Sequence, residues 1–219
     1  MYGLKTIAQK ELKNFIGSDR STLLIYLVIS VLWSFTLLSG ENNGLGGEVW
    51  LVFFSVIVAA NFSGTVFISE RVSGTLEVLI TSGLSRDAVL FGKMLFVIVM
   101  TLLIGLLCAA LAALWGAVIP DVSLSQTLGA YEAVLYFSVT FLNVAASAYF
   151  SVRMGNPRFL HFVNLFMTGF LVALYSVASG FVELHPLILV LAFLAVGVLF
   201  TFLARREFAG ERIIRPIIF

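Results

Sequence analysis

Charge is scarce in this sequence. Of its 219 residues only 11% are charged, while 60% are hydrophobic; a soluble domain carries nearer a quarter charged. That imbalance excludes an ordinary soluble fold. Cysteine is almost missing too. Cys108 is the only one, so no internal disulfide can form, and its place in an apolar run suits a small buried side chain. Histidine is limited to His161 and His185, which fall on opposite sides of the membrane in the topology derived below. Metal sites need clustered ligands, so none is expected. No Gly-x-x-x-x-Gly-Lys-Ser/Thr occurs, and Gly92-Lys93 is followed by Met94 and enters an apolar stretch. The chain should therefore not bind ATP alone, and no cofactor is expected on it. A cleavable signal peptide is not expected either. The Lys-bearing segment before the first apolar run is about 20 residues long and no small-x-small site follows.

What is abundant is apolar sequence in runs of about 20 residues, the length that crosses a bilayer core as helix. The pattern predicts an all-α polytopic membrane protein with six transmembrane helices, near residues 22–39, 49–68, 89–117, 128–150, 159–180 and 187–204. The third is long enough to tilt or to begin outside the lipid. The basic residues support the count. Lys5, Lys10, Lys13 and Arg20 precede span one, and Arg71, Arg86 and Lys93 lie between spans two and three or at their ends. Arg153 and Arg158 lie between spans four and five, and Arg205, Arg206, Arg212 and Arg215 follow span six. These are all 13 of the basic residues, and with six spans they fall on one side. The opposite loops carry Glu41, Glu48, Asp121 and Glu183 and no Lys or Arg. The positive-inside rule then places both termini in the cytoplasm. The outer loops 40–48, 118–127 and 181–186 are too short for an external domain. The chain reads as one transmembrane domain, 1–219. An amphipathic helix (1–20) leads to spans one and two (22–68), a cytoplasmic loop (69–88), spans three to six (89–204) and a basic tail (205–219).

The first segment has helical period. Leu4, Ile7, Ala8, Leu12, Phe15 and Ile16 share one face, and Lys5, Gln9, Lys10, Lys13 and Asn14 the other. A basic amphipathic helix before a span should lie in the membrane interface. Glu11 breaks the pattern by falling inside the apolar stripe. Two readings stand: it snorkels to the headgroups, or it turns toward a protein partner such as Arg71 or a second chain, since a carboxylate in apolar surroundings is costly unless paired.

The loop between spans two and three is the longest polar interlude. Residues 74–82 read as a short helix with an apolar stripe of Leu76, Leu79 and Ile80, and with Glu77 and Thr81 at i, i+4. Gly83 suits the C′ position. Ser85 suits the N-cap of the next helix, with Asp87 in its first turn. Such a helix either covers the protein's own cytoplasmic face or docks in a groove of a soluble motor and acts as a lever.

Here the chain resembles a known family. Glu70-Arg71-x-x-Gly74-Thr75-Leu76-Glu77-x-Leu79, then Ser82 and Ser85, then Gly92-Lys93, resembles the permeases of ABC type-2 exporters. Lys10-Glu11-Leu12 in the first helix and Arg20 before span one resemble them as well. The short six-span format is similar to the haem-exporter permease subunit of cytochrome c maturation. The resemblance implies a membrane subunit in the cytoplasmic (inner) membrane of a prokaryote, paired with a second copy or a related permease. It also implies two soluble ABC ATPase subunits that carry ATP and Mg. It further implies that Glu70, Arg71, Gly74, Thr75, Leu76, Glu77, Leu79 and Gly83 form the ATPase-coupling helix, and that Lys10 and Glu11 belong to the connecting helix. Two features depart from the family. Gly83 stands where many relatives have Pro, and residues 176–186 leave little room for the insertion often found between spans five and six.

Polar residues inside the spans include Asn61, Thr65, Glu132, Asn143 and Asn164. Such residues usually face other helices. Asn61, Glu132 and Asn143 are candidates for a substrate path, although Glu132 also suits the outer interface. Two other classes of function stay open at this level. One is an intramembrane enzyme using His161 with an inner-end serine such as Ser151. The other is a non-transporting scaffold or channel.

Overall fold

A run of apolar residues in lipid must satisfy its own backbone, and a helix does so within one segment. The computed structural model describes residues 2–18, 20–39, 47–68, 84–118, 129–154, 156–182 and 185–209. These form seven α-helices and no strand among the described residues: α1 Tyr2–Ser18, α2 Arg20–Ser39, α3 Gly47–Ser63, α4 Arg86–Val118, α5 Ala130–Ser151, α6 Pro157–Ser179 and α7 Leu187–Ala209. The helix α3 runs on into a π-helical turn, Gly64–Ile68.

Five helical stretches are long and apolar enough to cross a membrane: Trp50–Ile68, Arg86–Val118, Ala130–Ser151, Arg158–Ser179 and Leu187–Phe208. The remaining expected span falls on α2, where the apolar helical stretch among the described residues, Leu24–Phe35, is shorter. The 33 residues of α4 extend about 50 Å at 1.5 Å per residue, well beyond a hydrocarbon core of about 30 Å.

The helix starts have local causes. Ser85 Oγ accepts a hydrogen bond from the Ala88 N–H (3.2 Å), and Asp87 lies in the first turn of α4. This is the N-cap arrangement expected from the sequence. At α6, Asn156 Oδ1 accepts from the Arg158 N–H (2.9 Å), and Pro157 occupies the first turn, where its missing N–H costs nothing. At α5, the Glu132 carboxylate reaches back to the Gly129 N–H (2.7 Å).

The central helix is α5, which packs against α3, α4, α6 and α7. Its residues Val144, Ala145, Ala146, Ser147 and Ala148 are all fully buried. In lipid no hydrophobic force draws helices together, so small side chains that permit close approach do much of the work. The helix α6 lies at the edge and exposes Phe159, Phe162, Phe166 and Phe170. At one end of the bundle, Arg205 of α7 donates to both carboxylate oxygens of Asp87 in α4 (3.1 and 2.7 Å). Beside it, Arg153 after α5 donates to Glu207 of α7 (2.7 Å). The helix α1 packs along the first half of α4 at this same end.

Candidate functional site

The buried face of α1 is not the whole apolar stripe. Ile7, Glu11 and Phe15, spaced four residues apart, are buried, whereas Leu12 (41%) and Ile16 (56%) are exposed. A carboxylate therefore sits in the middle of the surface that α1 presses onto the bundle. What lets α1 come so close is Gly92 on α4: a Cβ there would lie 2.8 Å from Ile7 Cβ and 3.1 Å from the Leu4 carbonyl oxygen.

The residue after that glycine supplies the counter-charge. Lys93 is fully buried, and its Nζ lies 3.5 Å from Glu11 Oε1. Lys10 Nζ, one-third exposed, approaches the same oxygen at 3.4 Å. Lys93 Nζ also donates to the Val66 carbonyl oxygen at 2.6 Å. Val66 belongs to the π turn Gly64–Ile68 that follows α3, so this hydrogen bond ties α4 to that turn. The Phe67 ring lies 5.9 Å from the same ammonium. An aromatic cluster surrounds Phe62 on α3: Phe15 of α1 at 5.3 Å between ring centroids and Tyr26 of α2 stacked at 4.6 Å. One buried ion pair thus joins α1, the start of α4 and the end of α3.

The sequence offered Arg71, which lies outside the described residues, or a second chain as partners for Glu11, and it did not offer Lys93. The signal was present. A carboxylate in an apolar stripe and a lysine in an apolar helix each need compensation, but periodicity within one helix cannot say which partner on another helix supplies it.

The eight residues that the resemblance marks for ATPase coupling, Glu70, Arg71, Gly74, Thr75, Leu76, Glu77, Leu79 and Gly83, lie outside the described residues. Both anchors of their segment are described. It leaves from Ile68, the last residue of the π turn that Lys93 holds. It rejoins at Leu84, which lies against Gly3 of α1.

The three substrate-path candidates have different surroundings. Asn61 is half-buried, and its Nδ2 donates to the Ile57 carbonyl of its own helix (2.9 Å). Asn143 is fully buried. It donates to the Val139 carbonyl (2.8 Å) and accepts from Thr168 Oγ1 of α6 (3.2 Å). It belongs to a polar seam in which Asn164 Nδ2 donates to Ser147 Oγ (2.6 Å) and Ser55 of α3 shares a hydrogen bond with Thr140 (2.8 Å). Glu132 stands about 16 Å from Asn143 along α5 at 1.5 Å per residue, at the end of the bundle away from Lys93, and lines a pocket between α3, α4 and α5. Among these three, then, Asn143 is a helix-to-helix contact and Glu132 faces a cavity. Ser151 Oγ donates to the Ala148 carbonyl (2.9 Å), and His161 is half-buried on α6.

Comparisons with protein-family models, with curated proteins and with solved structures find no match.

Proposed function

We propose that this chain is the membrane-spanning permease subunit of an ATP-binding-cassette exporter. In this reading it has six spans and cytoplasmic termini, and it works as a dimer with two soluble ATPase subunits. The chain itself carries no catalytic step. ATP binding and hydrolysis on the partners move the segment 69–83, and that movement changes access to a cavity in the membrane.

The observation that carries the reading is the Glu11–Lys93–Val66 contact. A lever transmits force only if its two ends are anchored to the parts that must move. The segment 69–83 is the loop richest in the family's motif residues, and it is flanked by the end of α3 and the start of α4. Both ends are tied to α1, through Lys93 on one side and through Leu84 against Gly3 on the other. Rigid-body motion of the segment would therefore be passed to α1, α3 and α4 together. The resemblance of Gly74-Thr75-Leu76-Glu77 and Gly92-Lys93 to the exporter permeases supplies the direction of transport.

The test is purification of the tagged chain from its native membrane. An ATP-hydrolysing soluble protein is expected to accompany the wild type and to be lost with Leu79→Asp, and Glu77→Ala should lower the hydrolysis rate. Absence of any ATPase from the wild-type preparation would remove the reading.

A further inference from the structure

We infer that the pocket beneath the N-terminus of α5 is a binding site for an amphipathic organic cation, with an aliphatic or aryl body and one amine-like head. The pocket has a volume of about 340 Å³, at the lower end of the roughly 300–1,000 Å³ that small-molecule sites occupy. Its walls are apolar, among them Leu51 and Phe54 of α3, Cys108 and Ala109 of α4 and the ring of Tyr136. They are also pre-formed. A Cβ at Gly105 would lie 2.5 Å from the Tyr136 ring, so the two helices meet closely beside the cavity. The Tyr136 hydroxyl is already engaged with the Thr101 carbonyl (3.0 Å). The polar character of the lining is thereby concentrated on one group, the Glu132 carboxylate at the mouth.

That carboxylate accepts the Gly129 N–H, which fixes its position without neutralising it. The helix N-terminus contributes only about half a positive charge, so the mouth stays net negative. A carboxylate held over an apolar cavity selects an apolar body with a cationic head. An anionic amphiphile meets like charge there, and a neutral one gains no ion pair. The site belongs to the chain alone and does not rest on the exporter reading, because binding can be measured without any ATPase.

The experiment uses the full-length chain in phosphatidylcholine nanodiscs. Tritiated decyltrimethylammonium, decyl sulfate and decyl maltoside are titrated, and binding to empty discs is subtracted. One saturable site per chain is expected for the ammonium, with the sulfate at least about tenfold weaker. Glu132→Gln keeps an oxygen to accept the Gly129 N–H and should weaken the ammonium about tenfold while leaving the maltoside unchanged. Ala109→Phe, which fills the pocket, should abolish saturable binding. The preference of the wild type for cation over anion needs no variant and so does not depend on how the variants fold. Equal binding of cation and anion, unchanged ammonium affinity in Glu132→Gln, or no saturable site would each overturn the proposal; the first two would leave only a groove for lipid tails.

Discussion

Lys93 Nζ lies 3.5 Å from Glu11 Oε1 and 2.6 Å from the Val66 carbonyl oxygen, so one buried ammonium links three helices. Charges this deep are expensive to desolvate, and their attraction offsets that cost only when the geometry and the remaining hydrogen bonds are good. The Val66 carbonyl and Lys10 supply those extra contacts.

Removing one partner should therefore be far worse than removing both. Lys93→Met takes the ammonium away from the buried Glu11 carboxylate and should cost about 3–5 kcal/mol. The Glu11→Leu/Lys93→Met double variant should recover most of that loss. Reversible unfolding by sodium dodecyl sulfate in mixed micelles measures both variants against the wild type. A double variant as unstable as the single one would mean that the ion pair is not the coupled unit described.

The approach of α1 to α4 depends on the absence of a side chain at residue 92. Gly92→Ala places a methyl 2.8 Å from Ile7 Cβ, an overlap that should cost about 1–3 kcal/mol as the helices separate. Gly17→Ala, where nothing lies within 4 Å, is the matched control and should be neutral or stabilising by up to about 1 kcal/mol. The unfolding midpoint should fall for Gly92→Ala and hold or rise for Gly17→Ala.

The polar seam between α5 and α6 should have a modest energetic role. Asn164→Ala removes the hydrogen bond to Ser147 (2.6 Å), and interhelical bonds of this kind in lipid are worth about 0.6–2 kcal/mol. Thr168→Val, which removes the longer bond to Asn143 (3.2 Å), should cost less. The same unfolding assay ranks them.

At the exposed end of the bundle the pairs Asp87–Arg205 and Arg153–Glu207 are screened by solvent. Asp87→Asn should leave stability nearly unchanged at high salt and lower it slightly at low salt. Thermal unfolding at two ionic strengths checks this.

The sequence made the helices legible and left their partnerships hidden. Hydropathy locates lipid-crossing stretches because lipid imposes length and apolarity on each helix alone. It gives lipid-crossing lengths rather than helix lengths. The last span was expected to end near Ala204, and α7 continues to Ala209. The additional residues include Arg205 and Glu207, which pair with Asp87 and Arg153. The N-cap at Ser85 was readable because capping is local. The inward face of α1 was not, since Leu12 and Ile16 continue the apolar period while Glu11 takes the buried position. Only the neighbour, with Gly92 to admit α1 and Lys93 to neutralise Glu11, decides which face is covered. The π turn at Gly64–Ile68 left no mark in the sequence pattern either.

If residues 69–83 receive motion from a soluble ATPase, as proposed, a photo-cross-link from that segment tests it most directly. A benzophenone side chain placed at Leu79 and activated in native membranes should join the chain to a soluble ATP-binding protein. The same group at Leu106, which is 69% exposed on α4, should join it to lipid. Adducts from position 79 to lipid or to the chain itself, and none to an ATP-binding protein, would contradict the account.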